Sequence, residues 1–558
     1  MILTANGSDR EDEWVRLGVA AQMAGRLPEA QQHYANALRL NPRHLEATQN
    51  TAIVFAQSNL INEALLTMER ATIWDDTNAT VWLNYALMGL ETENLDLALR
   101  AADKAIEISP IPQTWFIRAI LSATAGMPEK AVELYNKVLD KEPKHLMAAT
   151  NACFVQTLTM DTSKELAAQR KRWYEANHYT GPTLPIAKLQ WDGARPLRVG
   201  YVSGDFKCHS AAMIFGSVVM HHNRAKIEPL LYSTLAVDPN ADGMTKRFKE
   251  MAGENWRDIS TLDDEKAELL IRKDQIDILV DLAGHTNGGR LQLFTRKPAP
   301  IQVTAWGFAH GTGVPEIDYF LADKVAVPEV EREHFVEKIW DVPCIVSYLP
   351  NDDVKTKAHS MLPFHQNGNI TFGTFCRYEK MNDTCIRLFG RILKEVPESR
   401  LMFKDNAYRR PYSIKRIMAI LSDIDPKRLL FSIATSHVDH LLAYQQADII
   451  LDPFPHSGGV VCLEQLYMGV PIVTMFGWQP GGRTTSSVLA NIGHPEWIGR
   501  SEDEYVSVAV KLAGDINQLQ TVRKKLRQEL LDSPVIKGYC EKIEEAYIEM
   551  AKIKQDRK

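Results

Sequence analysis

A helical unit that recurs every 33 or 34 residues constrains the first third of the chain more than any other feature. Ala30, Ala64, Ala98 and Ala131 stand at spacings of 34, 34 and 33, and each opens an alanine-bearing helical pattern. Ala37, Ala71 and Ala105 follow seven residues after their partners. A short turn lies earlier in each unit: Ala24-Gly25-Arg26, Ser58-Asn59, Glu93-Asn94 and Ala125-Gly126. A breaker closes it: Asn41-Pro42, Asp75-Asp76, Pro110 and Pro143. The unit is therefore helix, turn, helix, breaker. Alanine is required where two paired helices approach too closely for a larger side chain. Such a unit cannot bury its apolar face alone, so the copies must stack on one another.

A phased helical hairpin of this length is the tetratricopeptide pattern. Stacked copies form an α-solenoid with a concave surface, which serves as a protein-docking groove or as an oligomerisation or spacer arm. Repeats alone identify no enzyme. The pattern fades after Asp161, and helical sequence continues through Lys164–Asn177. The array is expected over 1–178. A Gly- and Pro-bearing linker is expected over 179–196.

Composition narrows the function classes. Lys+Arg 64 against Asp+Glu 70 gives a net charge of -6, which excludes a strongly basic nucleic-acid binder. No run of about 18 apolar residues occurs, so no membrane span is expected. The start of the chain has neither the basic nor the apolar region of a signal peptide. The 7 cysteines are scattered and contain no C-x-x-C pair, which predicts free thiols, no structural zinc motif and a reducing cytoplasm.

From Leu197 short β-rich runs alternate with helical patterns. Strands are expected at 197–203, 228–235, 276–282, 301–306 and 319–322, and a second series at 370–375, 400–403, 429–432, 448–451 and 471–475. Helices are expected at 211–221 in the first series, and at 382–396, 412–422, 437–446 and 461–468 in the second. Two such series predict two mostly parallel sheets, two Rossmann-like lobes with a cleft at the strand ends. The expected lobes are 197–350 and 351–535, and a last segment, 536–558, carries Ile543, Ala546, Tyr547 and Met550 at helical spacing for packing back on the lobes.

Chemistry-bearing residues collect at strand ends. Arg377 and Lys380 follow a strand and precede a helix, where side-chain charge and helix dipole together attract an anion, or form an exposed charged loop. Gly458 and Gly459 precede another helix, where backbone N–H groups can approach a phosphate. Glu464 lies about one turn into that helix, a position from which a carboxylate can accept from a ribose diol. His437 and His440 share a helix face, as donor-binding or as surface side chains. In the first lobe His209 follows the first strand and its Gly204-Asp205 loop, as a hydrogen-bond donor to a sugar, a general base or a helix-start residue. His285 and His310 follow later strands and are further cleft candidates. No metal site is expected, since Asp423-Ile-Asp425 reads as a turn and the histidines lack a third ligand.

These stretches resemble the O-linked N-acetylglucosamine transferase family, with its bacterial and SPINDLY-like members. The resemblance rests on LRVGYVSGDF (197–206), DILVDLAGHT (277–286), RKPAPIQVTAWG (296–307), DYFLAD (318–323), ADIILDPFPHSGG (447–459) and LYMGVPIVT (466–474). It implies a two-lobed GT-B fold. It implies metal-independent, inverting transfer of a sugar from a nucleotide-diphosphate donor, UDP-N-acetylglucosamine, to Ser/Thr of acceptor proteins. By the same resemblance Lys380 sits at the donor pyrophosphate, His440 at the uracil and Glu464 at the ribose. His437 stands where the family has lysine, and Arg377 where the N-acetylglucosamine enzymes have glutamine. His209 matches the first lobe's active-site histidine.

The chain departs from the family at named positions. Val460-Val461 replace Thr-Thr beside the phosphates. Phe308-Ala-His-Gly-Thr312 replaces Gly-Tyr-Pro-Gly-Thr, which makes Thr312 a further cleft contact. Ser486-Ser-Val488 replaces Ser-Arg-Val, with Arg483 nearby. These departures leave open a CMP-linked acidic sugar, as in repeat-bearing flagellin transferases, and a non-catalytic scaffold. The general base stays open between His209 and a donor phosphate oxygen. Acceptor protein and nucleotide sugar are the expected partners, with self-association an alternative use of the repeats.

Overall fold

A computed structural model describes residues 7–182, 184–236, 242–350, 361–433 and 436–556. The chain divides into two compact units: residues 1–148 with 409–416, and residues 149–408 with 417–558.

Among the described residues the first unit contains four helical hairpins. These are α1 (Gly7–Met23) with α2 (Leu27–Leu40), α3 (Leu45–Gln57) with α4 (Ile61–Trp74), α5 (Ala79–Glu91) with α6 (Leu95–Ile108), and α7 (Pro112–Thr124) with α8 (Pro128–Lys141). Ala30, Ala64, Ala98 and Ala131 are fully buried, as are Ala37, Ala71 and Ala105. The reason is visible at α5–α6, where a Cβ on Gly89 would lie 2.9 Å from the backbone nitrogen of Ala98. The four turns share one backbone device. Gly25, Asn59, Glu93 and Gly126, spaced like the alanines, all adopt left-handed φ, from 59° to 73°. Asn94 caps α6 by accepting from Leu97 N at 3.2 Å.

α9 (Leu146–Gln156) and α10 (Ser163–Asn177) follow. The repeat-array reading to residue 178 meets a difference here, because α10 packs within the second unit. Arg170 Nη1 donates to the Gly311 carbonyl at 2.7 Å, and Tyr174 OH to Glu316 at 2.8 Å. Side chains that bond to the lobes, and not the helical pattern itself, decide where α10 belongs.

The second unit holds two separate parallel sheets. The first lobe comprises β1 (Leu197–Ser203), α11 (Ser210–Val219), β2 (Ile227–Ser233), α12 (Gly243–Ala252), β3 (Trp256–Asp258), α13 (Asp264–Lys273), β4 (Ile278–Asp281), α14 (Leu291–Phe294), β5 (Ile301–Thr304), β6 (Tyr319–Ala322) and β7 (Lys338–Asp341). Its strand order is β3-β2-β1-β4-β5-β6-β7. The second lobe comprises α15 (Phe364–Asn367), β8 (Thr371–Thr374), α16 (Asp383–Glu395), β9 (Arg400–Lys404), α17 (Pro411–Ile420, of which residues to 416 count with the first unit), β10 (Leu429–Ser432), α18 (His437–Ala443), β11 (Ile449–Leu451), α19 (Val460–Tyr467), β12 (Ile472–Met475), α20 (Thr484–Ile492), β13 (Ile498–Gly499), α21 (Glu502–Gly514) and α22 (Ile516–Asp532). Its order is β10-β9-β8-β11-β12-β13.

The order reverses direction between β1 and β4 in one sheet and between β8 and β11 in the other. Loops leaving such strands diverge to opposite faces and open a crevice at the carboxyl ends. The expected lobe boundary at 350/351 falls where the described residues stop, since 351–360 lie outside them. α23 (Tyr539–Asp556) returns to the first lobe, burying Ile543, Ala546, Tyr547 and Met550. Its start is displaced from the expected 536 by Gly538, whose φ is 74°. Among the described residues no helix is long and apolar enough to cross a membrane.

Candidate functional site

Apart from Arg483, which precedes α20, the candidate donor-site residues of the second lobe come from the β8 and β11 loops or from α18 and α19. After β8 the chain passes through a 3-10 turn, Tyr378–Lys380, and enters α16, which Asn382 caps by accepting from Cys385 N at 2.8 Å. This turn carries Lys380 inward. Its ammonium donates to the Ser457 carbonyl at 2.6 Å, and the residue is only 8% exposed. Burial, helped by the neighbouring Arg377 charge, lowers its pKa from 10.5 to about 8. Arg377 itself is exposed, with its guanidinium 5.5 Å from the Phe154 ring centroid.

The β11 loop is folded around Asp452. Its Oδ1 accepts from Gly458 N at 2.9 Å and its Oδ2 from Thr474 Oγ1 at 2.7 Å. Burial pushes this carboxyl up to about 6. Gly458 is required, because a Cβ there would lie 2.9 Å from Asp452 Oδ1. Gly459 is different: a Cβ would meet nothing within 4 Å, so the backbone faces open space at the start of α19. Val460 and Val461 form the first turn of that helix, whose unpaired N–H groups and dipole present partial positive charge.

Glu464 lies one turn further and is buried. His437 Nε2 lies 3.1 Å from its Oε1, and Tyr444 OH donates to its Oε2 at 2.8 Å. That donation uses the hydroxyl's one proton, so His440 Nε2, 2.8 Å away, donates to the Tyr444 oxygen. The hydrogen bond to Glu464 raises the His437 pKa, whereas burial lowers that of His440. The result is a carboxylate flanked by an imidazole and a phenol, with a second imidazole joined through the phenol, one helical turn from the glycine-lined N-terminus.

In the first lobe His209 caps α11, accepting from Ala211 N at Nδ1 over 3.3 Å, and its side chain is 45% exposed. Asp205 Oδ2 lies 3.4 Å from the same nitrogen. The thiol of Cys208, next to His209, is raised by burial, by Asp242 and by Glu464 of the other lobe. The His209 loop therefore lies within electrostatic reach of Glu464. α11 also packs against α19 across the cleft.

The four further cleft candidates are buried. His285 donates from Nε2 to the Thr312 carbonyl at 2.7 Å and packs edge-on to Trp173, and burial lowers its pKa to about 4. Thr312 donates to Glu337 at 2.6 Å. Arg483 spends its guanidinium on the carbonyls of Gly477 and Ala326 and on Glu331, so it clamps one lobe to the other. These three therefore act as supports of the cleft wall. His310 alone has both ring nitrogens buried without a partner. It lies 6.0 Å, ring to ring, from His456, and a Cβ on Gly481 would come within 2.4 Å of its Nε2.

Sequence reading passed over Asp452, His456 and Tyr444, although the first two lie inside a quoted motif. An aspartate directly after a parallel strand and before a Gly-Gly pair was a usable signal for loop shaping. It also passed over Thr485, whose hydroxyl donates to the Gly458 carbonyl at 3.3 Å. Asp423 and Asp425 stand at a surface turn, the first paired with Lys394 and the second capping Lys427 N at 3.0 Å.

The model of glycosyl transferase family 41 matches residues 184–348 and 348–543, and a tetratricopeptide repeat model matches 11–44. A Solanum lycopersicum protein named a probable UDP-N-acetylglucosamine–peptide N-acetylglucosaminyltransferase SPINDLY is 35% identical over 374 residues, 64% of this chain and 40% of its own length. A Caenorhabditis elegans UDP-N-acetylglucosamine–peptide N-acetylglucosaminyltransferase is 24% identical over 492 residues, 66% of this chain and 42% of its own. The chain thus spans about 40% of the length of such curated relatives. The solved structure of a lysine-to-methionine variant of a Thermobaculum terrenum O-GlcNAc transferase is similar with a TM-score of 0.79. It is 25% identical, and the match covers 99% of both chains.

Proposed function

The chain belongs to glycosyl transferase family 41, and from that premise we propose that it is a protein O-glycosyltransferase. The reaction moves N-acetylglucosamine from UDP-N-acetylglucosamine to Ser/Thr hydroxyls, inverting the anomeric carbon. The observation that carries this reading is the order of groups along the second lobe. A buried lysine of the β8 loop bonded to the β11 loop, a glycine-opened helix N-terminus and a Glu464–His437–Tyr444–His440 network follow one another as pyrophosphate, ribose and base do in a nucleotide.

In this mechanism Lys380 and the first N–H groups of α19 stabilise the charge that appears on the leaving diphosphate. Glu464 accepts from the ribose diol, and His440 lies at the base. His209, exposed at the start of α11, contacts donor or acceptor at the reacting carbon. The deprotonating group is His209 or a donor phosphate oxygen. No step draws on a metal ion. The repeat unit supplies the surface that docks acceptor proteins, and the 7 free cysteines suit a reducing compartment such as the cytoplasm.

One observation favours a second donor class. Arg377 is exposed and its charge acts on Lys380, so two cations stand near one another, and an acidic CMP-linked sugar would use both. Assaying transfer with UDP-N-acetylglucosamine, UDP-glucose, GDP-fucose and a CMP-linked acidic sugar separates the readings. Turnover of the first supports the proposal. Turnover of the last alone replaces it, and turnover of none supports a scaffold.

A further inference from the structure

Outside the cleft, the last helix meets the first lobe through a polar cluster embedded in the core. His222 follows α11, and Cys540 and Glu544 stand one turn apart on α23. Among the described residues they form the one group of three His, Cys, Asp or Glu side chains close enough to share an ion. His222 and Glu544 are buried, and Cys540 is half-buried.

The three ligand atoms form a triangle. His222 Nδ1 is 3.3 Å from Glu544 Oε1 and 3.8 Å from Cys540 Sγ, and the sulfur is 4.0 Å from that oxygen. A tetrahedral zinc with ordinary Zn–N, Zn–O and Zn–S bonds spans edges of roughly 3.3–3.6 Å. The observed triangle therefore needs sub-ångström adjustment. The thiol's hydrogen bond goes to the Val218 carbonyl at 3.6 Å, and the longer distances to His222 and Glu544 leave the sulfur lone pairs free to face a shared ion.

The surroundings suit ligation. His222 Nε2 lies 2.7 Å from Tyr201 OH. A bond there fixes the ring and frees Nδ1 as a lone-pair donor, as supporting hydrogen bonds do at metal sites. Asn223 N donates to Glu544 Oε1 at 2.7 Å, and Lys226 Nζ stands 3.7 Å from Oε2. The Val218 carbonyl, 3.6 Å from the sulfur, or a water is available for the fourth position. Burial lowers the pKa of His222, keeping the imidazole neutral. Burial and the Glu544 and Glu541 charges hold the thiol up at about 12, so a cation must displace its proton.

We infer that His222, Cys540 and Glu544 form a structural site for a thiophilic divalent cation, zinc in the cell, which staples the C-terminal helix to the first lobe. The role is mechanical. α23 already joins the lobe through Tyr539, which donates to the Cys344 carbonyl at 2.8 Å and accepts from Trp306 at 3.0 Å. The cation would fix the next turn.

Cobalt(II) tests this with the full chain. Chelator-treated protein is titrated with Co²⁺ and read by absorption. The expected result is one equivalent bound with the strong visible bands of a tetrahedral ion and an ultraviolet thiolate-to-cobalt band. Cys540→Ser should lose the ultraviolet band, Glu544→Gln should bind at least about tenfold more weakly, and Cys208→Ser should match the wild type. Zinc should raise the melting temperature of the wild type and not of Cys540→Ser. Folded wild type that yields no charge-transfer band overturns the proposal, as does a band that survives Cys540→Ser. Because the wild-type spectrum decides by itself, misfolding of a variant does not shield the proposal.

Discussion

Replacing Lys380 with methionine should slow transfer by about 10²–10³ while leaving the ligand-free protein at least as stable. Two opposed effects of one buried charge produce this outcome. In the reaction the ammonium meets negative charge developing on the leaving diphosphate. Two unit charges ~4 Å apart interact by about 4 kcal/mol at an effective dielectric constant near 20. Loss of one such stabilising group typically costs on the order of 10²–10³ in rate. In the resting protein the same ammonium is poorly solvated. Its pKa falls from 10.5 to about 8, equivalent to roughly 3 kcal/mol opposing folding while the lysine is charged. Losing the bond to the Ser457 carbonyl offsets about 1–3 kcal/mol of the relief. Lys380→Met should therefore melt at or above the wild-type temperature near neutral pH.

The sign of the pH dependence follows from the same shift. The folded pKa lies below the unfolded one, so the unfolded chain binds more protons between about 8 and 10.5, and the penalty fades as pH rises through that window. Any stability advantage of Lys380→Met should shrink over the same range. The assays are donor turnover for kcat and KM, and thermal denaturation at several pH values. Near wild-type turnover in folded Lys380→Met would refute the site assignment. A large loss of stability at neutral pH would refute the account of its burial.

Glu464→Ala should raise the donor KM about tenfold with a much smaller change in kcat, because ribose contacts change little between ground and transition state; equal kcat and KM effects would contradict this. The His437–Glu464 pair raises the folded pKa of His437 above 6.5, so its contribution to stability is full below that pH and lost as pH rises through the folded value. Melting curves of wild type and His437→Ala should accordingly converge toward alkaline pH. Initial rates measured in EDTA should match those without it, and restoration by Mg²⁺ or Mn²⁺ of a lost rate would contradict metal-free catalysis. Ala98→Leu should destabilise the repeat unit by about 1–3 kcal/mol through overpacking against Gly89, read by thermal denaturation or protease sensitivity of the array.

The repeats were legible because one physical requirement writes itself into sequence twice. The α5–α6 contact demands small residues, and the left-handed turns at Gly25, Asn59, Glu93 and Gly126 recur at the same period. The lobes were legible through their buried central strands. Their edges were not: β3, β7 and β13 are short and partly exposed, so they lack a continuous apolar run. α12 and α13 are mostly polar helices whose few buried positions left little pattern. At the site, Lys380 and Glu464 could be read because each occupies a fixed offset from a strand or a glycine pair. His285, Thr312 and Arg483 follow strands or loops in the same way, yet their partners lie far along the chain and draw them into the wall. The His222–Cys540–Glu544 cluster shows the limit, since residues separated by more than half the chain leave no spacing to notice.

The central claim is sugar transfer to protein hydroxyls, and intact-mass analysis of acceptor protein incubated with the chain and UDP-N-acetylglucosamine tests it most directly. The account predicts acceptor species heavier by whole N-acetylhexosamine residues, mapped to Ser or Thr, formed in EDTA and strongly diminished with Lys380→Met. No increment, or an increment from a CMP-linked sugar only, would contradict it.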